Sequence, residues 1–262
     1  MSKFIDATYI PYTPREYVGF DNVEIQNNFT DLSSPDDTEI NLTTRYCKSP
    51  LNNIILESPI LALSDDNESL CDFRYIDAFY AGNINTLFET YSKKNNAGIV
   101  IGTHPDDQNI VDFFFNEKKV KHLCVYILSR TGSGDNQLLI QQVRNLKLKY
   151  GNAIHIIAGD VTLPLTISTL IKVGVDGIVL DEKCNVNQVI NARNTLYSLQ
   201  SNCLLIGKSS KDFVYKYFAA GVDLCFQHYY ATDIVKLRKF MYMTNSRNLS
   251  DYFNNTYFYI IQ

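Results

Sequence analysis

A thiol, a glycine-lysine-serine turn and a histidine-aspartate pair are the places in this sequence where residue type and spacing could support chemistry. Cys184 follows Lys183 in Asp181-Glu182-Lys183-Cys184-Asn185 and is a candidate nucleophile, the plainer alternative being a coincidental thiol beside a lysine. Gly207-Lys208-Ser209-Ser210 separates an apolar run from a helical pattern. Its amides and hydroxyls, with Lys208 alongside, could hold a phosphate or other anion at the helix start. The competing role for Ser209 or Ser210 is to cap that helix. His104-Pro105-Asp106-Asp107 has the residue types of half a metal site. No second histidine is spaced to complete it, so a solvated loop and no metal are expected. Thr131-Gly132-Ser133-Gly134-Asp135 lacks the Lys and Ser/Thr of a phosphate-binding P-loop and reads as a βα loop. Asp65-Asp66-Asn67-Glu68 reads as a polar loop able to cap the next helix. The six cysteines (Cys47, Cys71, Cys124, Cys184, Cys203 and Cys225) show no C-x-x-C spacing, and several sit in apolar runs. They read as reduced core thiols.

These positions are punctuation in a repeating pattern. Strand-like runs at 120–128, 154–158, 177–180, 203–206 and 223–226 alternate with helical patterns at 136–150, 165–173, 186–199 and 211–220. Between helix and strand stand Gly151-Asn152, Gly174, Ser201-Asn202 and Gly221, suited to the left-handed residue that ends a helix. Apolar strands repeating at βα spacing imply parallel strands covered by helices. With further strands at 54–63 and 98–101, the pattern predicts an α/β fold, a (β/α)8 TIM barrel over residues 51–262. The polar, proline-punctuated residues 1–50 are expected to form an irregular N-terminal arm packed on that barrel.

Apolar residues make up 45% and charged residues 20% of the 262 positions, with a net charge of −4. That balance gives no general attraction to nucleic acid or to an anionic membrane. Met1 to Tyr9 carries Lys3 and Asp6 and does not read as a signal peptide. No run approaches the ~20 apolar residues that span a bilayer. The expectation is an intracellular, cytoplasmic protein with neither a membrane nor a specific nucleic acid as partner.

Several segments, in order, resemble the IMP dehydrogenase/GMP reductase family. Gly19-Phe20-Asp21-Asn22-Val23-Glu24-Ile25 is similar to its "TFDDVLL" opening. Leu42-Thr43-Thr44-Arg45 followed by 53–63 resembles "LSTR…PLVSAPM". Ile156-Ile157-Ala158-Gly159-Asp160-Val161 is similar to "IAGNV". Gly174-Val175-Asp176-Gly177 and Ala219-Ala220-Gly221-Val222-Asp223 resemble "AGAD" turns, and 233–261 resembles the closing helix and tail of GMP reductase-type chains. The likeness spans almost the whole chain and leaves no room for CBS domains.

The same resemblance implies a chemistry that this chain has lost. The family's cysteine sits in a "GIGPGSxCTTR" loop, whereas here Leu180 runs straight into Asp181 and Cys184 comes several residues early. The family's ribose- or cofactor-binding aspartate falls on Tyr126 or Ser129. Its "DGG" turn is replaced by Gly207-Lys208-Ser209-Ser210, its phosphate cradle by Gln227-His228-Tyr229-Tyr230, and its flap has no counterpart. The expectation is therefore a catalytically inactive barrel without cofactor. It would be retained as a structural or assembly protein, as a homo-oligomer or as a subunit of a viral or other multi-subunit particle. One alternative is a divergent NADPH-dependent purine-nucleotide oxidoreductase rebuilt around Cys184, Lys208 and His228. Another is a regulatory partner of an active paralogue. The terminal aromatics Tyr252, Phe253, Tyr257, Phe258 and Tyr259 are expected either to form an interface or to cover the bottom of the barrel.

Overall fold

Strands that are apolar on both faces must be covered on both, and here they close on themselves. The structure, a computed structural model, describes residues 19–36, 38–46, 54–63, 71–94, 96–129, 134–209, 213–226 and 230–260. Three short strands come first: β1 (Val23–Ile25), β2 (Thr44–Arg45) and β3 (Ile55–Leu56). The barrel strands are β4 (Ile60–Leu63), β5 (Phe73–Asp77), β6 (Ala97–Ile101), β7 (Leu123–Leu128), β8 (Ile154–Val161), β9 (Gly177–Leu180), β10 (Leu204–Lys208) and β11 (Leu224–Phe226). They are parallel, each pairs with its neighbours in chain order, and β11 closes on β4. This is a TIM-barrel-like architecture of eight parallel strands.

Helices wrap the strands: α1 (Ile84–Ser92), α2 (Gln108–Asp112) with a following π-helical turn, α3 (Gln137–Tyr150), α4 (Pro164–Lys172), α5 (Val186–Ser198), α6 (Val214–Ala220), α7 (Tyr230–Met243) and α8 (Leu249–Asn255). Asn83, Asn136, Asn185 and Asn248 cap α1, α3, α5 and α8 by accepting a backbone N–H in the first turn, which satisfies an otherwise orphaned donor. Gly151, Gly174 and Gly221 have φ of 53°, 89° and 108°, as the turn reading expects. After α5 the left-handed residue is Gln200 (φ 49°), one position before Ser201-Asn202. The Gln200 and Ser201 amides bond back to Tyr197 and Leu196 carbonyls, so hydrogen bonding outweighs the preference for glycine there.

Two further differences concern the start of the barrel. The run at 54–63 is two strands, because β3 pairs antiparallel with β2 while β4 joins the barrel. Between them Pro59 has no N–H, and the Ser58 amide donates to the Asp72 carboxylate at 2.9 Å. The strand β5 has no counterpart in the sequence reading, since Arg74 and Asp77 interrupt its apolar pattern. Its Phe73 and Tyr75 face the lumen while Ile76 joins the outer core.

The described part of the arm packs against the barrel's helical layer. Phe20, Val23, Ile25, Leu32, Ile40 and Leu42 are buried in the core that also holds the helix faces. Phe20 stacks on Tyr217 with centroids 4.2 Å apart. Beneath them Lys216 of α6 is 2% exposed, donating to the carbonyls of Phe20 (3.1 Å) and Val23 (2.6 Å) and pairing with Glu24 (3.2 Å). The chain end returns to the same place, since β12 (Phe258–Ile260) pairs antiparallel with β1. Tyr252, Phe253 and Phe258 are buried and Tyr257 is 46% exposed. Tyr252 and Phe258 belong to the outer core, whereas Tyr46 and Leu56 at the β2–β3 pair join the lumen cluster.

Replacing Lys216 by Met keeps the apolar stem and removes the ammonium, leaving two carbonyls without their donor. The expected cost is about 2–4 kcal/mol of stability. Urea unfolding should show a lower midpoint at unchanged slope.

Candidate functional site

Alternation along each strand decides which side chains enter the lumen. The lumen cluster takes Leu61 from β4, Phe73 and Tyr75 from β5, Val100 from β6, and Cys124 and Tyr126 from β7. Ile157 of β8, Val179 of β9, Leu204 and Ile206 of β10, and Leu224 and Phe226 of β11 complete it. Its largest members form a continuous aromatic column. Tyr46 packs on Phe73 at 4.8 Å, Phe73 on Tyr75 at 5.3 Å, Tyr75 on Tyr126 at 5.9 Å, and Tyr126 stacks on Phe226 at 5.4 Å and 18°. The Tyr46 and Tyr75 hydroxyls hydrogen-bond to each other inside this column.

At the carboxyl ends of the strands, where barrel enzymes place their chemistry, the column ends in a polar trio. Lys208 is two residues beyond Ile206 on β10 and so faces the same way. Its Nζ donates to Asp160 Oδ2 at 2.9 Å, and the Tyr126 hydroxyl donates to Asp160 Oδ1 at 2.8 Å. The Lys208 and Asp160 side chains are only 22% and 17% exposed. Asp160 lies where the β8–β9 register shifts, between Ala158 and Val161. Burial first, and the Asp160 carboxylate second, hold the Tyr126 hydroxyl well above the ordinary phenol value. It is therefore a hydrogen-bond donor to Asp160 and not a base.

The surrounding loops are tied to one another. The Asp135 carboxylate accepts from the Thr162 amide (2.9 Å), the Leu163 amide (3.0 Å) and the Thr162 hydroxyl. The Gly134 amide donates to the Asp160 carbonyl at 2.6 Å, and the Asn136 amide side chain donates to Ser129 Oγ at 3.3 Å. Ser129 is thus built into the loop, and Tyr126 into the column.

The sequence-predicted site residues are not gathered at one site. Cys184 is 3% exposed, with Sγ 3.8 Å from the Val161 carbonyl. Burial, and then the Asp181 carboxylate, push its thiol up to about 12. The neighbouring Lys183 does not make it a thiolate, and Cys184 is a core thiol.

Gly207 lies within β10 facing away from the lumen, where a Cβ would stand 2.7 Å from the Tyr217 ring. Lys208 points the other way, to Asp160. Ser209 is 5% exposed, and Ser210 lies outside the described residues. The helix α6 starts at Val214 with Phe213 at its N-cap and no side-chain cap. Gly207 and Lys208 thus face opposite ways along β10.

His104 is exposed and accepts the Asp106 amide at 3.3 Å. Among the described residues no group of three or more His, Cys, Asp or Glu could hold a metal ion. Cys47, 65–68, 131–133 and His228 lie outside the described residues.

Asp160 and Lys208, 48 residues apart, were not paired by sequence reasoning. Counting by twos along β10 from Ile206 would have turned Lys208 inward. The register shift that brings Asp160 to meet it leaves no trace in residue types.

Searches with protein-family models and against curated proteins find no match to this chain. The likeness to the IMP dehydrogenase/GMP reductase family accordingly rests on the motif strings alone.

For Cys184, a shift from 9.0 to about 12 leaves the folded thiol protonated at pH 9, where an unfolded cysteine is half ionised. Its thiolate fraction is then about five-hundredfold smaller in the folded state. Iodoacetamide labelling at pH 9, read by mass spectrometry of the Cys184 peptide, should be slower than in urea by at least that factor. The sign also holds for stability. Above pH 9 the unfolded chain loses this proton first, so the thiol's contribution falls as pH rises from 9 towards 12.

Proposed function

We propose that this chain is a catalytically silent barrel, related to the IMP dehydrogenase/GMP reductase family and retained as a structural or assembly subunit. The observation that carries this reading is the occupied lumen. Tyr126 and Phe226 stack across the mouth, and the Lys208–Asp160 pair closes over them. A purine seated over the strand ends would have to part a packed aromatic pair and a half-buried ion pair. The candidate nucleophile Cys184 would not reach it, being a buried thiol directed at Val161. Asp160 already accepts two hydrogen bonds and Tyr126 is held protonated, so neither is poised to take a proton from a ligand. The reading needs no cofactor.

A second reading, a divergent purine-nucleotide oxidoreductase, draws on the same trio, because Lys208, Asp160 and Tyr126 stand where barrel enzymes keep acids and bases. Steady-state assays separate the two. The purified protein should neither reduce GMP with NADPH nor oxidise IMP with NAD. Turnover above background that disappears in Lys208→Met or Cys184→Ala would replace the silent reading with the enzymatic one.

Assembly through the barrel's sides is the part of the proposal taken from the resemblance. The apolar surface it would use lies on the neighbouring helices α3 and α4, where Leu148 is 80% and Leu165 78% exposed. Arg144, Leu148, Thr169 and Val173 line a groove between these helices. A self-association surface of stable size buries roughly 1,000 Å² or more. Light scattering at tens of micromolar should give a mass that is a multiple of the 30.0 kDa chain. The double variant Leu148→Glu/Leu165→Glu should shift it to the monomer. A strict monomer in the wild type removes this part of the proposal.

A further inference from the structure

We propose that this barrel binds a second copy of itself end to end, the acidic mouth of one copy seated on the basic amino-terminal end of the next. The net charge of −4 conceals a division along the barrel axis. The helices α1 to α4 all run from the mouth towards the amino-terminal end, because each follows one parallel strand and precedes the next. At that end, the helix ends and turns leading into β6, β7, β8 and β9 carry Lys93, Lys118, Lys119, Lys121, Lys149 and Lys172. Contacts join these turns into one surface. Lys118 Nζ lies 5.1 Å from the centre of the Phe88 ring of α1, and Lys149 pairs with Asp112 of α2 at 2.6 Å. Lys147 pairs with Asp176, just ahead of β9, at 2.5 Å.

Most of this positive charge is uncompensated. Lys93, Lys119, Lys121 and Lys172, with Arg144 of α3, are exposed and have no ion-pair partner among the described residues. The carboxylates among them are Asp112, Glu117 and Asp176, of which Asp112 and Asp176 are already paired. A lysine in the last turn of a helix is favoured by the helix dipole alone. Lys119 and Lys121 lie beyond any last turn, so the dipole does not account for them.

The mouth above the same strands has the opposite sign. It carries Asp77, Asp106, Asp107, Asp135, Asp181 and Glu182. Lys183 and, when protonated, His104 oppose them, while Lys208 is taken up by Asp160. The loop after β5 also exposes two aromatic rings at this rim. Phe79 is 69% and Tyr80 79% exposed, and the rings meet edge to face at 5.3 Å. Exposed aromatic side chains beside polar groups are the kind that anchor protein interfaces. Each end thus supplies the charge that the other lacks. A contact between two different faces is heterologous and leaves a free face at both outer ends, so it propagates as an open stack. The proposal rests on the assembly reading in that copies associate, but it uses the ends of the barrel and not its side, and it does not require the barrel to be silent.

The test is light scattering of the full chain at tens of micromolar. Sodium chloride is varied from about 0.01 M to about 1 M, over which the Debye length falls from ~30 Å to ~3 Å. In low salt the mass should rise with protein concentration past that of a dimer, and in high salt association should weaken at least tenfold. Two variants then block one end each: Lys93→Gln/Lys119→Gln/Lys121→Gln at the amino-terminal end and Asp106→Asn/Glu182→Gln at the mouth. All five side chains are exposed, so the fold is expected to be kept. Either variant alone should associate at least tenfold more weakly than the wild type. Their equimolar mixture should give the mass of two chains, since each pair retains one intact mouth and one intact amino-terminal end. A strict monomer in low salt, whether or not its lysines bind an added oligonucleotide, overturns the proposal. So does a mixture that associates no better than its components. Association that resists salt and these variants but is lost in Leu148→Glu/Leu165→Glu also overturns it, while leaving assembly through the barrel's side in place.

Discussion

A closed barrel of eight strands encloses a lumen that must be filled, and in this protein it is filled by aromatic rings from one end to the other. Tyr46, Phe73, Tyr75, Tyr126 and Phe226 stand in edge-to-face and stacked contacts. Such pairs add to the stabilisation that burial of their area already provides. At the carboxyl ends of the strands Phe226 and Tyr126 stack on each other, and Lys208 and Tyr126 each donate to Asp160.

The column in turn depends on the arm. A barrel left open at the amino-terminal end would expose Phe73 and Leu204, and the β2–β3 pair supplies Tyr46 and Leu56 to cover that level. On the outside, Lys216 fixes the opening turn of the arm to α6, and β12 pairs with β1. The two ends of the described chain thus meet on one flank of the barrel. A lysine serves here because Phe20 and Val23 present two carbonyls that need a donor away from water, and burying the ammonium is tolerated only with such partners. The arm, for all its irregular sequence, is part of the fold's structure and not an appendage.

The two ends of the barrel differ in how their polar groups are satisfied. At the mouth, the side chains of Asp135, Asp160 and Ser129 all have partners. At the opposite end, the buried His155 Nε2 lacks one. Barrel stability is usually assigned to the amino-terminal end and function to the carboxyl end.

The barrel itself was legible in the sequence because its signals are local. The apolar runs at 154–158, 177–180 and 223–226, the helical periods between them and the glycines at 151, 174 and 221 each act within a few residues, and strands, helices and left-handed turns stand where they indicate. The β5 strand was hidden, since Arg74 and Asp77 break its apolar pattern and only pairing with β4 and β6 makes it a strand. The division of 54–63 was hidden too, because β3 and β4 belong to different sheets and sheet membership is a property of partners. The site was the least legible part. Asp160 and Lys208 meet across 48 residues, while Cys184 and Gly207 had the right residue types and point elsewhere. Residue type is local information, but burial and facing direction depend on register and on the closure of the whole barrel. Those are set only when all eight strands are in place.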